Sequence, residues 1–287
     1  MRVVLSAPAK YHFFNLGREL ASRGMLSTLM TGYPRFKLKT EPALAPYLTT
    51  LPLAHVLYVA VLTGFGYDLE YWDKWFFDRA VRRRLPECDI FMGIAASCKE
   101  SATVARARGA GVIIDRPCSH IEVQDRLLQD EAKREKLRLK PIDPRVIKIE
   151  LEEYAMADLI TVPSEFAARS FYEKGFSREK IHVIPYGVDP SVFHPVGEPD
   201  PDSFDVLFVG ALTIRKGIVH LIRAFERLEH KNKRLTFIGV LLSYFIGQNI
   251  FIMSFLKFIN GFVHFFRAIP VGQVSRTTIC FIIANTP

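Results

Sequence analysis

Through the first 185 residues, short apolar runs alternate with amphipathic stretches, and that alternation admits few folds. MRVVLS, MLSTLMTG, CDIFMGI, GVIID, DLITVP and KIHVIP are strand-like, each brief and flanked by Gly, Pro or polar residues. Between them, Phe13 to Arg23, YWDKWFFDRAVRRRL, ESATVARARGA, RVIKIELEEYAMA and EFAARSFYEKG repeat their apolar residues at intervals of three and four. Strands separated by helices pair in parallel, and the helices then cover both faces of the sheet. The expectation for residues 1–185 is therefore a single α/β domain of Rossmann-like type. Local signals fix several of its helix starts: Asp143-Pro144 offers an Asx cap followed by proline at the first helical position, and Ser164 caps the stretch that ends at Gly175. In YWDKWFFDRAVRRRL the expected inward residues are Trp72, Trp75, Phe76 and Val81, with Arg82 to Arg84 serving the C-terminal end of the helix dipole rather than a membrane patch. The apolar LAHVLYVAVLTGFG is short of a bilayer span and reads as a buried helix.

Charge excludes one class of partner. The formal net charge of +8 invites a nucleic-acid reading, but six of the 38 basic residues follow the last acid, Glu229, which leaves 32 bases against 30 acids before it. The body is nearly neutral, and no nucleic acid is expected. Four cysteines without C-x-x-C spacing (Cys88, Cys98, Cys118 and Cys280) fit a reducing compartment. Met1 runs directly into a strand, so no signal peptide is expected.

Two loops of the first domain open at the carboxyl ends of strands, where open α/β sheets place ligands. APAKYH follows the first strand and lacks G-x-G-x-x-G, so no dinucleotide cofactor is expected; His12 is a candidate for the acceptor cleft. RPCSH follows GVIID, and there the bland alternative is that Asp115 and Ser119 simply cap the helix starting near Ile121. After a Pro-rich hinge over residues 186–204, DVLFVGALTIRKGIVHLIRAFERL begins a second unit over residues 205–239, with LTFIG as its second strand. Gly210 ends a buried strand, and Arg215, Lys216 and Gly217 lead into an amphipathic helix. A helix N-terminus with two cations and a glycine that admits close approach suits a diphosphate.

FVGALTIRKG with its following helix, IIDRPCSHIEVQDRLLQDE, and ITVPSEFAARSFYEKG with KIHVIPYGVDPSVF together resemble the family 4 glycosyltransferases of the GT-B class, over roughly residues 1–239. The resemblance implies a GT-B-like α/β fold, with a complete acceptor-side domain and the beginning of a donor domain. It places Lys216 on the family's diphosphate-binding lysine. The family often has arginine directly after the glycine, where this chain has Ala211, and Arg215 would substitute from its place beside Lys216. A histidine of the N-terminal domain faces the transferring sugar in that family; His120 is the candidate, with Arg116 and Ser119 lining the cleft. The implied reaction is retaining transfer of a sugar from a UDP- or GDP-linked donor to the hydroxyl of an acceptor glycan or lipid-linked glycan. Neither a metal nor a cofactor beyond the donor is expected. The expected location is cytoplasmic, or peripheral to the inner face of a membrane.

Two motif matches are rejected. Glu165 and Glu173 satisfy the family's donor-sugar pattern E-x7-E but precede the hinge, and Asp200-Pro201-Asp202 is a D-x-D within a Pro-rich linker. Residues 240–287 break the pattern. They contain no Asp or Glu and are crowded with Phe and Ile, so they read as a sequence foreign to the fold, or alternatively as a membrane anchor. With only two strands and one helix of the donor domain present, Phe208, Phe237 and Ile238 should lack cover. The expected consequence is an impaired transferase; the alternative is an inactive or non-enzymatic remnant, membrane-associated through its tail.

Overall fold

The computed structural model describes residues 1–51, 70–198 and 200–240, together with the backbone of two short strands at His264–Phe265 and Thr278–Ala284. The apolar stretch after Pro52 and most of the tail lie outside the described residues. The chain divides into two units, Met1–Arg126 with Pro141–Val188, and Leu127–Lys140 with Asp189–Pro287.

The first unit is built on seven strands: β1 (Val3–Ala7), β2 (Leu26–Thr31), β3 (Leu48–Thr50), β4 (Ile90–Ile94), β5 (Gly111–Asp115), β6 (Leu159–Val162) and β7 (Ile181–Val183). All pair in parallel, in the order β3-β2-β1-β4-β5-β6-β7. The order runs outward in both directions from the β1–β4 pair, which makes that pair the topological switch point, the place where a doubly wound sheet opens a crevice for ligand. Helices α1 (Phe13–Ser22), α2 (Glu70–Arg84), α3 (Lys99–Ala107), α5 (Pro144–Met156) and α6 (Glu165–Tyr172) accompany the strands, and α4 (Ile121–Arg134) begins in this unit and passes into the second at Leu127.

Side-chain alternation divides the core in two. Val3, Leu5, Ala7, Met92 and Ile94 face Phe13, Phe14, Leu38 and Leu44 on one side, while Val4, Phe91, Val112, Ile114 and Ile160 pack with Phe77, Ala102, Tyr154 and Phe171 on the other. The caps form as the sequence implies: Asp143 accepts from the Arg145 amide at 2.8 Å, and Ser164 accepts from the Ala167 amide at 3.3 Å. Helix α2 is set differently from its expected face. Phe77 and Val81 are buried, four apart on one stripe, whereas Trp72 and Phe76 are 42% and 46% exposed. The buried Asp78 sits on the inward side because its carboxylate caps α3, and this rotates the flanking aromatics outward.

In the second unit β8 (Phe204–Val209) pairs in parallel with β9 (Lys233–Val240), and the backbone of β11 (Thr278–Ala284) runs antiparallel along the other edge of β9 with β10 (His264–Phe265) beyond it. Helix α7 (Ile218–Arg227) covers one face through Ile218, Ile222 and Phe225, packed on Leu235 and Phe237. Cover is thus lost by face, not throughout. Phe237 is buried and Phe208 half-buried beneath α7, while Leu207, Val209 and Ile238, alternating to the opposite face, are open. Among the described residues no helix is long and apolar enough to cross a membrane.

Candidate active site

The switch point carries a paired histidine and aspartate. Strand β1 ends at Ala7 and its loop delivers His12 just ahead of α1, while Asp115 is the last residue of β5. His12 Nε2 lies 2.9 Å from Asp115 Oδ2. The other carboxylate oxygen, Oδ1, accepts from Thr161 Oγ1 at 2.7 Å. This second contact follows from strand register, since Asp115 and Thr161 are direct partners across β5 and β6. Asp115 is buried and the imidazole is a quarter exposed, so the ring forms the accessible end of the pair. A carboxylate can only accept, so Nε2 carries the hydrogen of this contact, and in the neutral imidazole Nδ1 holds the lone pair. The Tyr186 ring, half exposed, lies 4.5 Å from the imidazole, and partial burial with the nearby Asp115 charge raises its phenol's pKa.

The other N-terminal candidates turn inward. Arg116 donates from Nε to the Ser119 carbonyl at 3.0 Å, from Nη1 to Glu150 at 3.1 Å and from Nη2 to Gln124 at 2.8 Å. Its charge is engaged by a buried acid. The short Arg116–Ser119 bond closes the RPCSH loop on itself, and Ser119 is buried in consequence. His120 is 1% exposed, with ring centroids 5.1 to 5.8 Å from those of Phe171, Tyr154 and Phe176. Its amide donates to Ser170 Oγ at 2.8 Å, and its Nδ1 is buried with no hydrogen-bond partner. Burial pushes its pKa down to about 4, so the ring is neutral at ordinary pH. The structure therefore brings His12 and Asp115 together at the rim and sets His120 in an aromatic enclosure.

The turn after β4, at the carboxyl edge of the first sheet, is filled by the protein's own acids. Asp78 accepts from the Glu100 amide at 2.7 Å, the Ser101 amide at 3.0 Å and Ser101 Oγ at 2.6 Å. Glu153, buried, accepts from the Ala96 amide at 2.5 Å and the Cys98 amide at 2.9 Å, with Ala96 held at φ 70°. Burial raises the pKa of Asp78 and pushes that of Glu153 up to about 8. Anion-binding amides at this helix start are consumed by carboxylates.

The turn after β8 in the second unit is built from different residues. After Gly210 the chain forms a 3-10 turn, Ile214–Lys216, then Gly217 at φ 69°, then α7. Arg215 and Lys216 are exposed at this helix start. No side chain caps α7 and no acid lies in its first turn. Gly239 guards the approach of the strands: a Cβ there would stand 1.7 Å from the Gly210 carbonyl oxygen, so only glycine fits. Elsewhere in this unit His220 meets Glu131 at 2.6 Å, and Arg223 grips both Glu135 oxygens at 2.6 Å. The three acidic and imidazole groups are close enough to share an ion, yet Arg223 already neutralises Glu135. Glu165 and Glu173 are both exposed, and Asp200 accepts from the Asp202 amide in a surface turn, as solvated groups do.

Residues 9–192 match the model of Glycosyltransferase Family 4. The chain belongs to that family. Among solved structures, the catalytic domain of starch synthase IV from Arabidopsis thaliana, bound to ADP and acarbose, is similar with a TM-score of 0.52 and 12% identity, over 89% of this chain and 72% of that one. This likeness shows the GT-B fold. HepE from Anabaena in complex with UDP scores 0.49 at 10% identity, covering 90% of this chain and 65% of its own. UGT2 from Phytolacca americana, complexed with UDP-2-fluoro-glucose and pterostilbene, scores 0.45 at 14% identity, covering 73% and 59%. The chain thus spans less than two thirds of the length of these last two. No curated protein sequence matches it.

Thr161, Asp78 and Glu153 were not singled out in the sequence, and Asp115 was read there only as a helix cap. Asp115 was visible as a strand end, but its pairing with a loop 103 residues away is a consequence of strand order.

Proposed function

We propose that this chain transfers a sugar from a nucleoside-diphosphate donor to an acceptor hydroxyl, with the diphosphate on the β8–α7 turn and the acceptor at the His12 rim of the first unit. The observation that carries this reading is the contrast between two strand-to-helix turns: Asp78 and Glu153 fill the one in the first sheet, while the one in the second presents Arg215, Lys216 and an uncapped helix start. Fixed cations and helix dipole at that turn stabilise a departing diphosphate without requiring a metal. The starch synthase IV structure of the same fold holds ADP, which supports a nucleotide in this class of site.

In this reading His12 Nδ1 receives the acceptor's proton while Asp115 holds the ring's tautomer and steadies its charge. His120, enclosed and neutral, supports the fold behind the rim and Arg116 braces the loop. Retention is the course implied by the family resemblance. The dyad favours a second course, because a base that removes the acceptor's proton allows attack from the face opposite the leaving group, which inverts. Proton NMR of the anomeric centre in the product separates the two.

Turnover by residues 1–287 is slow. Residues 230–287 hold no Asp or Glu for donor-sugar hydroxyls, and Leu207, Val209 and Ile238 on one face of the β8–β9 pair are exposed. The same observations favour a remnant that binds nucleotide without transferring sugar. Incubation of the purified chain with UDP-, GDP- and ADP-sugars in the presence of a chelator, following hydrolysis and transfer, tests both. Slow, metal-independent product formation is expected; turnover that demands added metal, or robust turnover, would contradict this account.

A further inference from the structure

A cleft of about 410 Å³ opens between α2 and α3, lined by Arg79, Arg82, Arg83, Arg108 and Val104. The C-terminal ends of both helices lead directly into β4 and β5, so the cleft lies at the amino edge of the first sheet, opposite the His12 rim. Three of its guanidinium groups are held in place by a second contact. Arg79 stacks 4.5 Å from the Trp75 ring, Arg82 meets Glu100 at 2.9 Å, and Arg108 donates to the Leu85 carbonyl at 2.8 Å.

Arginines near helix C-termini are favourable without any ligand, so the charges must be weighed. Two helix C-termini supply roughly half a negative charge each. Glu100, also 3.9 Å from Arg79, supplies one more. Against four guanidinium groups this leaves a surplus of about two positive charges. A dianionic group would balance it, and bidentate donors in a fixed array suit phosphoryl oxygens. The space is several times that of one phosphate. On the same helix, one to three turns earlier, Trp72 and Phe76 are exposed, giving an apolar strip beside the cationic cleft.

We propose that the Arg79–Arg82–Arg83–Arg108 cleft is a non-catalytic site for a phosphoryl group, borne either by a soluble diphosphate or by an anionic lipid head group. It does not rest on the sugar-transfer reading, and its test removes the other cationic turn. The full chain carrying Arg215→Ala and Lys216→Ala is titrated with inorganic pyrophosphate by calorimetry at physiological salt, and in parallel floated with vesicles of phosphatidylcholine with and without phosphatidylglycerol. Adding Arg83→Ala and Arg108→Ala should weaken binding at least tenfold. A control pair outside the cleft, Arg84→Ala with Arg138→Ala, removes the same charge and should change binding less than twofold.

Pyrophosphate binding without flotation assigns a soluble ligand; flotation with phosphatidylglycerol, competed by pyrophosphate, assigns the lipid head group. Both support the site. Equal loss in the cleft and control pairs would reduce the effect to net charge and overturn the proposal, as would absence of binding in both assays. Circular dichroism of the Arg83→Ala, Arg108→Ala variant itself guards against loss by unfolding, and the Arg83→Lys, Arg108→Lys variant, which keeps the charge, should retain more binding than the Ala pair.

Discussion

His12 and His120 illustrate how environment divides the labour of one residue type. His12 is a quarter exposed and anchored by Asp115, whereas His120 is enclosed by aromatic rings. Replacing His12 by Ala, or Asp115 by Asn, should lower kcat by ~10²–10⁴ with nucleotide affinity unchanged, the range general-base removal produces. His120→Phe should keep the chemistry, measured in the same assay. Stability reports the difference through pH. His120 has a folded pKa of about 4 against 6.5, so the unfolded chain binds more protons between these values and stability is lost as pH falls from about 6.5 toward 4. Glu153 is the opposite case, with a folded pKa of about 8 against 4.5, so its contribution is present at low pH and lost as pH rises toward 8. The two oppose each other below 6.5, and above it Glu153 acts alone. Urea midpoints should fall between pH 6.5 and 8.5, and Glu153→Gln should remove that slope even if it lowers stability throughout. A midpoint in the parent chain that is flat over this range would refute the assignment.

At the scale of elements, α3 and α7 are two helices whose starts are served differently. Asp78→Ala strips the α3 start of three hydrogen bonds to one buried carboxylate. The cost should be ~1–3 kcal/mol in chemical denaturation, because buried amides are left unsatisfied. Gly239→Ala should disrupt the β8–β9 pair, since the added carbon meets the Gly210 carbonyl with no flexible atom to give way. Hydrogen exchange would locate that damage in β8 and β9 with β4 and β5 still protected. Elements of this kind were largely legible from pattern: the strands, the Asp143 and Ser164 caps and the glycines at 210 and 217 all follow from local chemistry. The face of α2 was not legible, because Asp78 is drawn inward by amides of α3 that are remote in sequence. The position of His120 was hidden for a related reason. A loop that reads as open at a strand end is closed by Arg116, whose partner Glu150 lies a helix away.

Over the whole molecule, the turn after β4 is filled by the carboxyl groups of Asp78 and Glu153, whereas the turn after β8 leads into a helix with no acid in its first turn. The α/β class was readable from alternation and the GT-B reading from the resemblance, and the dyad was half readable, since the His12 loop follows β1 and Asp115 ends β5 but the two become neighbours only in the order β3-β2-β1-β4-β5-β6-β7. The most direct measurement of the central claim is calorimetric binding of UDP, GDP and ADP to residues 1–287, to the Arg215→Ala, Lys216→Ala variant, and to His12→Ala. The account predicts a measurable affinity for at least one nucleotide, weakened tenfold or more by the cation pair and unchanged by His12→Ala. Equal affinity in the parent and the Arg215, Lys216 variant would contradict it and remove the diphosphate from the β8–α7 turn.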